Sequence, residues 1–279
     1  MPFMRTSLII TTYNWPQALE LTLSSVARQS RMPDEVIVAD DGSGPPTAAA
    51  IERWRQRLNV PLRHVWQPDE GFRLARSRNR AIVAATGDYL VLVDGDMILQ
   101  RHFIRDHVAL ARHDCFIQGA RPQLSPDVTQ RLLNGEHMSL GWWTRGLQRR
   151  LYAWRNVAVS RIQSRVKNAL GGIQGCNQSF WRDHALRING YDERFNAWGP
   201  EDREFAARLL HIGVRRNYIR HRAIAFHLHH RSRAPGGEVN PLDRLLQETL
   251  ATRTIRCAQG IENISSDPPR SSVGGPVAW

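Results

Sequence analysis

Cysteine, lysine and long apolar runs are all scarce in this chain. Its three cysteines, Cys115, Cys176 and Cys257, are scattered without metal-ligand spacing, which excludes a disulfide framework and a cysteine-built zinc site. No stretch approaches the roughly 18 consecutive apolar residues of a membrane-spanning helix. The opening Met1-Pro2-Phe3-Met4-Arg5-Thr6 lacks the apolar core of a signal peptide. The expected location is therefore the cytoplasm, including the inner face of the cell membrane. Lys167 is the sole lysine, so nearly all of the 38 basic residues are arginine, set against 26 acidic ones. The resulting net charge of +12 favours anionic partners: nucleotides, acidic glycolipids, membrane headgroups or nucleic acid.

What is present is enough for a substantial core: 279 residues, 42% of them hydrophobic. Strand and helix signals alternate through the first hundred residues. Ser7–Thr12, Glu35–Ala39, Leu62–Trp66 and Tyr89–Val93 read as strands. Between them Pro16–Gln29, Thr47–Leu58 and Arg73–Ala85 read as helices, the first with proline in its opening turn and the last ended by Gly87. This alternation predicts an α/β fold with a doubly wound, mainly parallel sheet. From about residue 129 to 170 the pattern changes to tryptophans among arginines, and Arg145–Leu170 reads as a basic, partly amphipathic helix. A further helix is expected over Pro241–Cys257, and the Ser-, Pro- and Gly-rich end is expected to be disordered.

Asp94-Gly95-Asp96 directly follows the last apolar strand of that first half. Loops at the carboxyl ends of parallel strands are where open α/β sheets bind ligands. Two carboxylates there suit a divalent cation holding a diphosphate, although Asp-Gly is also common turn chemistry. Three other segments flank it in order: Thr11-Thr12-Tyr13-Asn14 after the first strand, Asp40-Asp41-Gly42-Ser43 after the second, and Ala75-Arg76-Ser77-Arg78-Asn79 in the preceding helix. Gly190-Tyr191-Asp192-Glu193-Arg194-Phe195, Trp198-Gly199-Pro200-Glu201-Asp202 and His227-Leu228-His229-His230 come later.

This ordered set resembles a family 2 glycosyltransferase of the GT-A fold, joined to the carboxyl-terminal region shared by galactosyltransferase-type enzymes. The resemblance covers roughly Ser7 to His230. It implies one domain over residues 1–235, with a Rossmann-like nucleotide-sugar-binding half at 1–100 and an acceptor-binding, catalytic half at 101–235 that carries the insert at about 129–170. A carboxyl-terminal helix at 236–262 and a tail at 263–279 would complete the chain.

By the resemblance, Thr11, Tyr13 and Asn14 lie in the loop that packs on the nucleotide base, and Asp41 accepts the base N–H. Arginine clamps a diphosphate bidentately, and spacing to Asn79 makes Arg73 the first candidate and Arg76 the second. Asp94 falls nearer the ribose and Asp96 is the firmer ligand of Mn²⁺ or Mg²⁺. His227 is the candidate third ligand, ahead of His229, since alternate strand residues share a face and His230 would point the other way. Asp202 is the candidate catalytic base and Glu201 an acceptor contact, although both sit where a carboxylate also caps a helix. Trp198 and Gly199 are placed against a sugar ring, and Gly175 and Asn177 near the donor sugar.

The implied activity is metal-dependent, inverting transfer of a sugar from a nucleotide-diphospho-sugar, with UDP the expected nucleotide, to a hydroxyl of a cell-surface glycan or glycolipid. The basic aromatic segment fits either an anionic membrane surface or an ordinary cover over the acceptor side. Two rivals compete on the same residues. A nucleic-acid-binding protein fits the charge but has no use for paired acids at strand ends, so no nucleic-acid partner is expected. A nucleotidyltransferase would need a glycine- and lysine-rich loop near the first strand, which is missing.

Overall fold

The computed structural model describes residues 4–231 and 240–265. Four strands, β1 (Thr6–Thr12), β2 (Glu35–Asp40), β3 (Leu62–Trp66) and β4 (Tyr89–Asp94), alternate with helices α1 (Pro16–Ala27), α2 (Pro45–Arg55) and α3 (Leu74–Ala84). A short strand β5 (Met97–Leu99) and helix α4 (Phe103–Leu110) lead into β6 (Cys115–Gln118) and β7 (Gln123–Leu124). Then come α5 (Pro126–Leu133), β8 (Leu147–Gln148), a 3₁₀ turn at Arg150–Ala153, α6 (Val157–Gln163) and β9 (Arg165–Lys167). The last part holds β10 (Asn177–Trp181), α7 (Arg182–Arg187), α8 (Glu201–His211), β11 (Arg215–Tyr218), β12 (Ala225–His227), α9 (Asp243–Thr252) and α10 (Ile261–Ser265).

The main sheet has eight strands in the order β3-β2-β1-β4-β10-β6-β11-β9. The first four run parallel, as the alternation predicts. β10 then enters antiparallel between β4 and β6, so one continuous sheet carries strands from both halves of the chain. Along β1 and β4 successive side chains serve opposite faces. Ile9, Leu90 and Leu92 pack with Ala75 and Ile82 of α3 and with Phe205 and Leu209 of α8. Leu8, Ile10, Val91 and Val93 pack with Leu19, Leu23 and Val26 of α1 and with Phe103 and Ile104 of α4. Burial on both faces explains why these strands read as unbroken apolar runs. A second, four-stranded sheet has the order β5-β12-β7-β8.

Two expectations need correction. Arg145–Leu170 is not one helix: it breaks into β8, a 3₁₀ turn, the seven-residue α6 and β9. Asn156 starts α6 afresh by accepting from the Val159 amide at 3.0 Å, and β9 is drawn out to pair with β11. Tertiary partners override helical composition here. Likewise the helix expected over Pro241–Cys257 is shorter, and α10 follows separately. The end of the chain expected to be disordered lies, from residue 266 onward, outside the described residues.

Asp106 of α4 pins the broken segment to the sheet. It is fully buried and accepts two hydrogen bonds from Arg155, at 2.8 and 2.7 Å, and one from Arg222 at 3.0 Å. Burial opposes its charge, but the Arg155 hydrogen bonds and the Arg222 charge outweigh this and hold its pKa below the ordinary value. Replacing Asp106 by Ala strands two guanidinium groups, which should cost about 3 kcal/mol or more of stability. Urea denaturation measures this; a loss under about 1 kcal/mol would mean the network does not anchor the segment.

Candidate active site

The parallel register brings three strand ends to one edge. Thr12 lies beside Asp40, and Thr11 beside Asp94. Thr11 Oγ1 donates to Asp94 Oδ1 at 2.8 Å. Asp40 is the turn-builder of its pair: it accepts from the Ser43 amide at 2.8 Å and contacts His64 Nε2 at 2.8 Å. Asp41 faces the loop ahead of α3, accepting from Gln67 Nε2 at 2.6 Å and from the Arg73 amide at 2.9 Å. Burial pushes its pKa up. Gly42 has φ of 96°, and a Cβ there would lie 2.5 Å from the Asp69 backbone, so no other residue fits. Tyr13 donates its hydroxyl to Asp69 at 2.9 Å, and Asn14 Oδ1 accepts from the Gly44 amide at 2.9 Å. Thr11, Tyr13, Asn14 and Asp41 thus belong to one loop cluster at the edge of the sheet.

The arginine assignments change. Arg73 Nη2 donates to the Pro68 carbonyl at 3.0 Å and Nη1 pairs with Glu70 at 2.6 Å, which ties it to its own loop. Arg76 pairs with Glu193 at 3.0 Å. The arginine that reaches the centre is Arg78, only 1% exposed. Its Nη1 donates to Asp202 at 2.7 Å and to Glu201 at 3.2 Å, and its Nη2 lies 3.6 Å from Asp94. The guanidinium also sits over the Tyr191 ring, 5.0 Å from its centre. Burial works against its charge, and the carboxylate of Asp202 outweighs it, so its pKa rises. A signal for Arg78 was available: Ala75, Arg78 and Ile82 share the α3 face that packs on the sheet.

Glu201 and Asp202 open α8. Asp202 also accepts from the Gly175 amide at 2.5 Å, and a Cβ on Gly175 would strike that carboxylate. Glu201 is 6% exposed, and burial followed by the neighbouring Asp202 charge pushes its pKa up to about 8. Trp198 and Gly199 precede this pair, separated from it by Pro200, with Trp198 46% exposed. Asn177 does not join them. It is fully buried, its amide nitrogen donates to the Ala120 and Ala223 carbonyls at 2.8 Å each, and its oxygen meets His107 at 3.0 Å. Its amide is committed to joining the two sheets, leaving nothing for a sugar.

Beyond Asp94 the chain turns through Gly95, whose Cβ would lie 2.7 Å from the Thr11 carbonyl, and presents Asp96. Asp96 Oδ2 stands 3.4 Å from His227 Nε2 and 3.2 Å from His230 Nε2. His230, rather than His229, completes the trio because β12 ends at His227 and strand alternation stops there. The amide of His229 donates to Thr129 instead. Asp96 Oδ1 and His227 Nδ1 are buried without hydrogen-bond partners. Burial lowers the pKa of His227 to about 4, so its ring is neutral at pH 7. Burial disfavours charge on Asp96 too, but the His230 hydrogen bond and the histidine charges outweigh it and depress its pKa. Burial raises the pKa of Asp94. Orphaned oxygen, neutral imidazole and crowded carboxylates together fit a divalent cation.

Comparison with known proteins agrees with this architecture. Residues 7–183 match the family model described as glycosyl transferase family 2, and residues 155–231 match the N-terminal domain of galactosyltransferase. The chain is 26% identical over 271 residues to chondroitin synthase of Escherichia coli, covering 90% of this chain and 38% of that protein. It therefore spans well under half the length of that relative. Among solved structures, Staphylococcus aureus TarS 1-349 in complex with UDP superposes with a TM-score of 0.61 at 17% identity, covering 93% of this chain and 68% of that one. Mannosyltransferase PcManGT of Pyrobaculum calidifontis, in complex with GDP-Man and Mn²⁺, gives 0.55 at 18% identity, covering 95% and 65%. These neighbours share the GT-A fold.

The raised pKa of Glu201 makes stability depend on pH. In the unfolded chain Glu201 ionises near its ordinary 4.5, but in the folded chain it keeps its proton up to about 8. Its neutral form costs folding nothing below that ordinary value, and stability falls as pH rises through the window up to the folded pKa. Glu201→Gln should flatten the decline in urea stability across that window; a variant curve parallel to wild type would place the Glu201 proton elsewhere.

Proposed function

We propose, because this chain belongs to glycosyl transferase family 2 and carries a glycosyltransferase domain, that it transfers a sugar from a nucleotide-diphospho-sugar to a glycan hydroxyl with inversion at the anomeric carbon. Residues 1–100 serve the donor and 101–235 the acceptor. UDP is the expected nucleotide and a cell-surface glycan or glycolipid the expected acceptor, readings supported by the UDP complex of TarS and the polysaccharide-synthase relative. The observation that carries the proposal is that Asp202, Glu201 and Asp94 converge on one buried guanidinium, that of Arg78, with Asp94 two residues along the chain from Asp96 and its histidines.

In this reading Thr11, Tyr13, Asn14 and Asp41 hold the base and ribose side of the donor. Asp96, His227 and His230 would hold Mn²⁺ or Mg²⁺, with Asp94 beside them. When bound, the ion supplies Lewis-acid stabilisation of the departing diphosphate. Asp202, held by Arg78 and the Gly175 amide, takes the proton from the acceptor hydroxyl as that oxygen attacks the anomeric carbon. Glu201, neutral at pH 7, is a hydrogen-bond donor for the acceptor. Trp198 offers its exposed ring to a sugar face. Arg78 orients Asp202 and fixes its distance from Asp94.

Peripheral membrane contact is part of the proposal. Trp142, Trp143, Leu151 and Ile162 are exposed, from 51 to 78%, in the same stretch as Arg145, Arg149, Arg150 and Arg161.

Four outcomes are expected. Asp202→Asn should lower kcat by about 10²–10⁴ while donor KM changes little, and Asp96→Ala should abolish metal-dependent donor binding by calorimetry. NMR of the product should show an inverted anomeric configuration; retention would rule out direct displacement with Asp202 as base. The protein should sediment with anionic vesicles and not with neutral ones; equal recovery from both would remove the membrane contact.

A further inference from the structure

A second group of metal-type ligands lies at the other end of the main sheet. β10 runs antiparallel to β4, so Asn177 stands beside Val93 near the candidate active site, and Trp181 stands beside Tyr89 at the opposite end. Four residue steps separate the two ends, about 13 Å at 3.3 Å per residue. Immediately after Trp181, α7 begins with Arg182, Asp183 and His184. Against it packs the loop between α4 and β6, which carries His113.

The three side chains face one another. His113 Nε2 lies 3.1 Å from Asp183 Oδ2, and His184 Nε2 lies 3.9 Å from Asp183 Oδ1. The two imidazole rings are 4.6 Å apart, edge to face, and His113 also lies 5.2 Å from the Trp181 ring. One ligand atom from each of the three falls within 4.8 Å of the others. His184 is 4% exposed and its Nδ1 has no hydrogen-bond partner, whereas His113 and Asp183 are open to solvent. The loop is held in place independently: Arg112 and Arg215 both pair with Asp114, which occupies the nearest basic side chains of that loop and strand.

From this geometry we infer that His113, Asp183 and His184 form a second metal site, distinct from the Asp96 trio, that takes a borderline transition-metal ion of the Zn²⁺ class. Two imidazoles and one carboxylate favour Zn²⁺, Ni²⁺ or Cu²⁺ over Mg²⁺, whose preference is for oxygen ligands. Solvent fills the remaining coordination positions, since two of the three ligands are on the surface. Bound there, the ion cross-links the α4–β6 loop to the start of α7. None of its ligands touches the residues assigned to donor, acceptor or base, so its role is to brace the sheet end and not to take part in transfer.

The test is equilibrium dialysis of chelator-stripped full-length protein against Zn²⁺, read by metal analysis, for wild type, His113→Ala, Asp183→Asn and Asp96→Ala. His113 and Asp183 are surface side chains, so both variants should fold, which circular dichroism checks. His113→Ala and Asp183→Asn should each lose one tightly bound equivalent relative to wild type, through a weakening of about tenfold or more, while Asp96→Ala keeps that equivalent and loses a different one. Transfer activity of His113→Ala with Mn²⁺ should match wild type. Zinc content in His113→Ala and Asp183→Asn equal to wild type would overturn the inference. So would loss of the same equivalent in Asp96→Ala, which would assign it to the active site.

Discussion

Arg78 sits almost wholly out of water among three carboxylates, Asp94, Glu201 and Asp202, and the geometry of the site follows from satisfying that one charge. A buried guanidinium costs several kcal/mol unless it is paired. Three acids around one base would leave two uncompensated negative charges. Protonating Glu201 removes one of them, in keeping with its pKa near 8. The other is left on the Asp94 side, next to Asp96 and its histidines, where in the proposed function a divalent cation would complete the balance. The same interaction that binds α3 to α8 therefore leaves net negative charge at the edge of the sheet, which the proposed function assigns to metal and diphosphate.

Strand direction does the rest of the positioning. Parallel β1, β2 and β4 deliver Thr11, Asp41 and Asp94 to one edge because the carboxyl ends of parallel strands lie together. Antiparallel β10 reverses that logic: its amino end meets the carboxyl end of β4, so the loop before it, with Gly175, reaches the same edge. Gly175 then donates its amide to Asp202 at the start of α8. The Gly175 backbone amide and the buried Arg78 are both fixed groups, which hold the carboxylate without reorganisation when a substrate arrives.

Much of this was legible in the sequence because it depends on local pattern. Unbroken apolar strands alternating with helical faces specify a parallel sheet, and acids placed directly after those strands gather at its carboxyl-end edge. What was not legible depends on long-range partners. Arg78 is the exception: its spacing from Ala75 and Ile82 sets it on the sheet-facing side of α3, a signal that ranking the arginines by distance to Asn79 passes over. His230 replaces His229 because β12 stops at His227, two residues short of what simple alternation to His229 assumes. Asn177 resembles a sugar ligand by position, yet its amide bridges carbonyls of Ala120 and Ala223. The segment after Arg145 has helical composition but yields to Asp106 and to the free edge of β11.

The most direct measurement is anomalous diffraction at the manganese edge from crystals grown with UDP and Mn²⁺. The account predicts a single strong peak among Asp96, His227 and His230, with nucleotide density over the Thr11–Asn14 and Asp41 loops and diphosphate density reaching the ion. Nucleotide bound at those loops with no manganese between Asp96 and the histidines would contradict it.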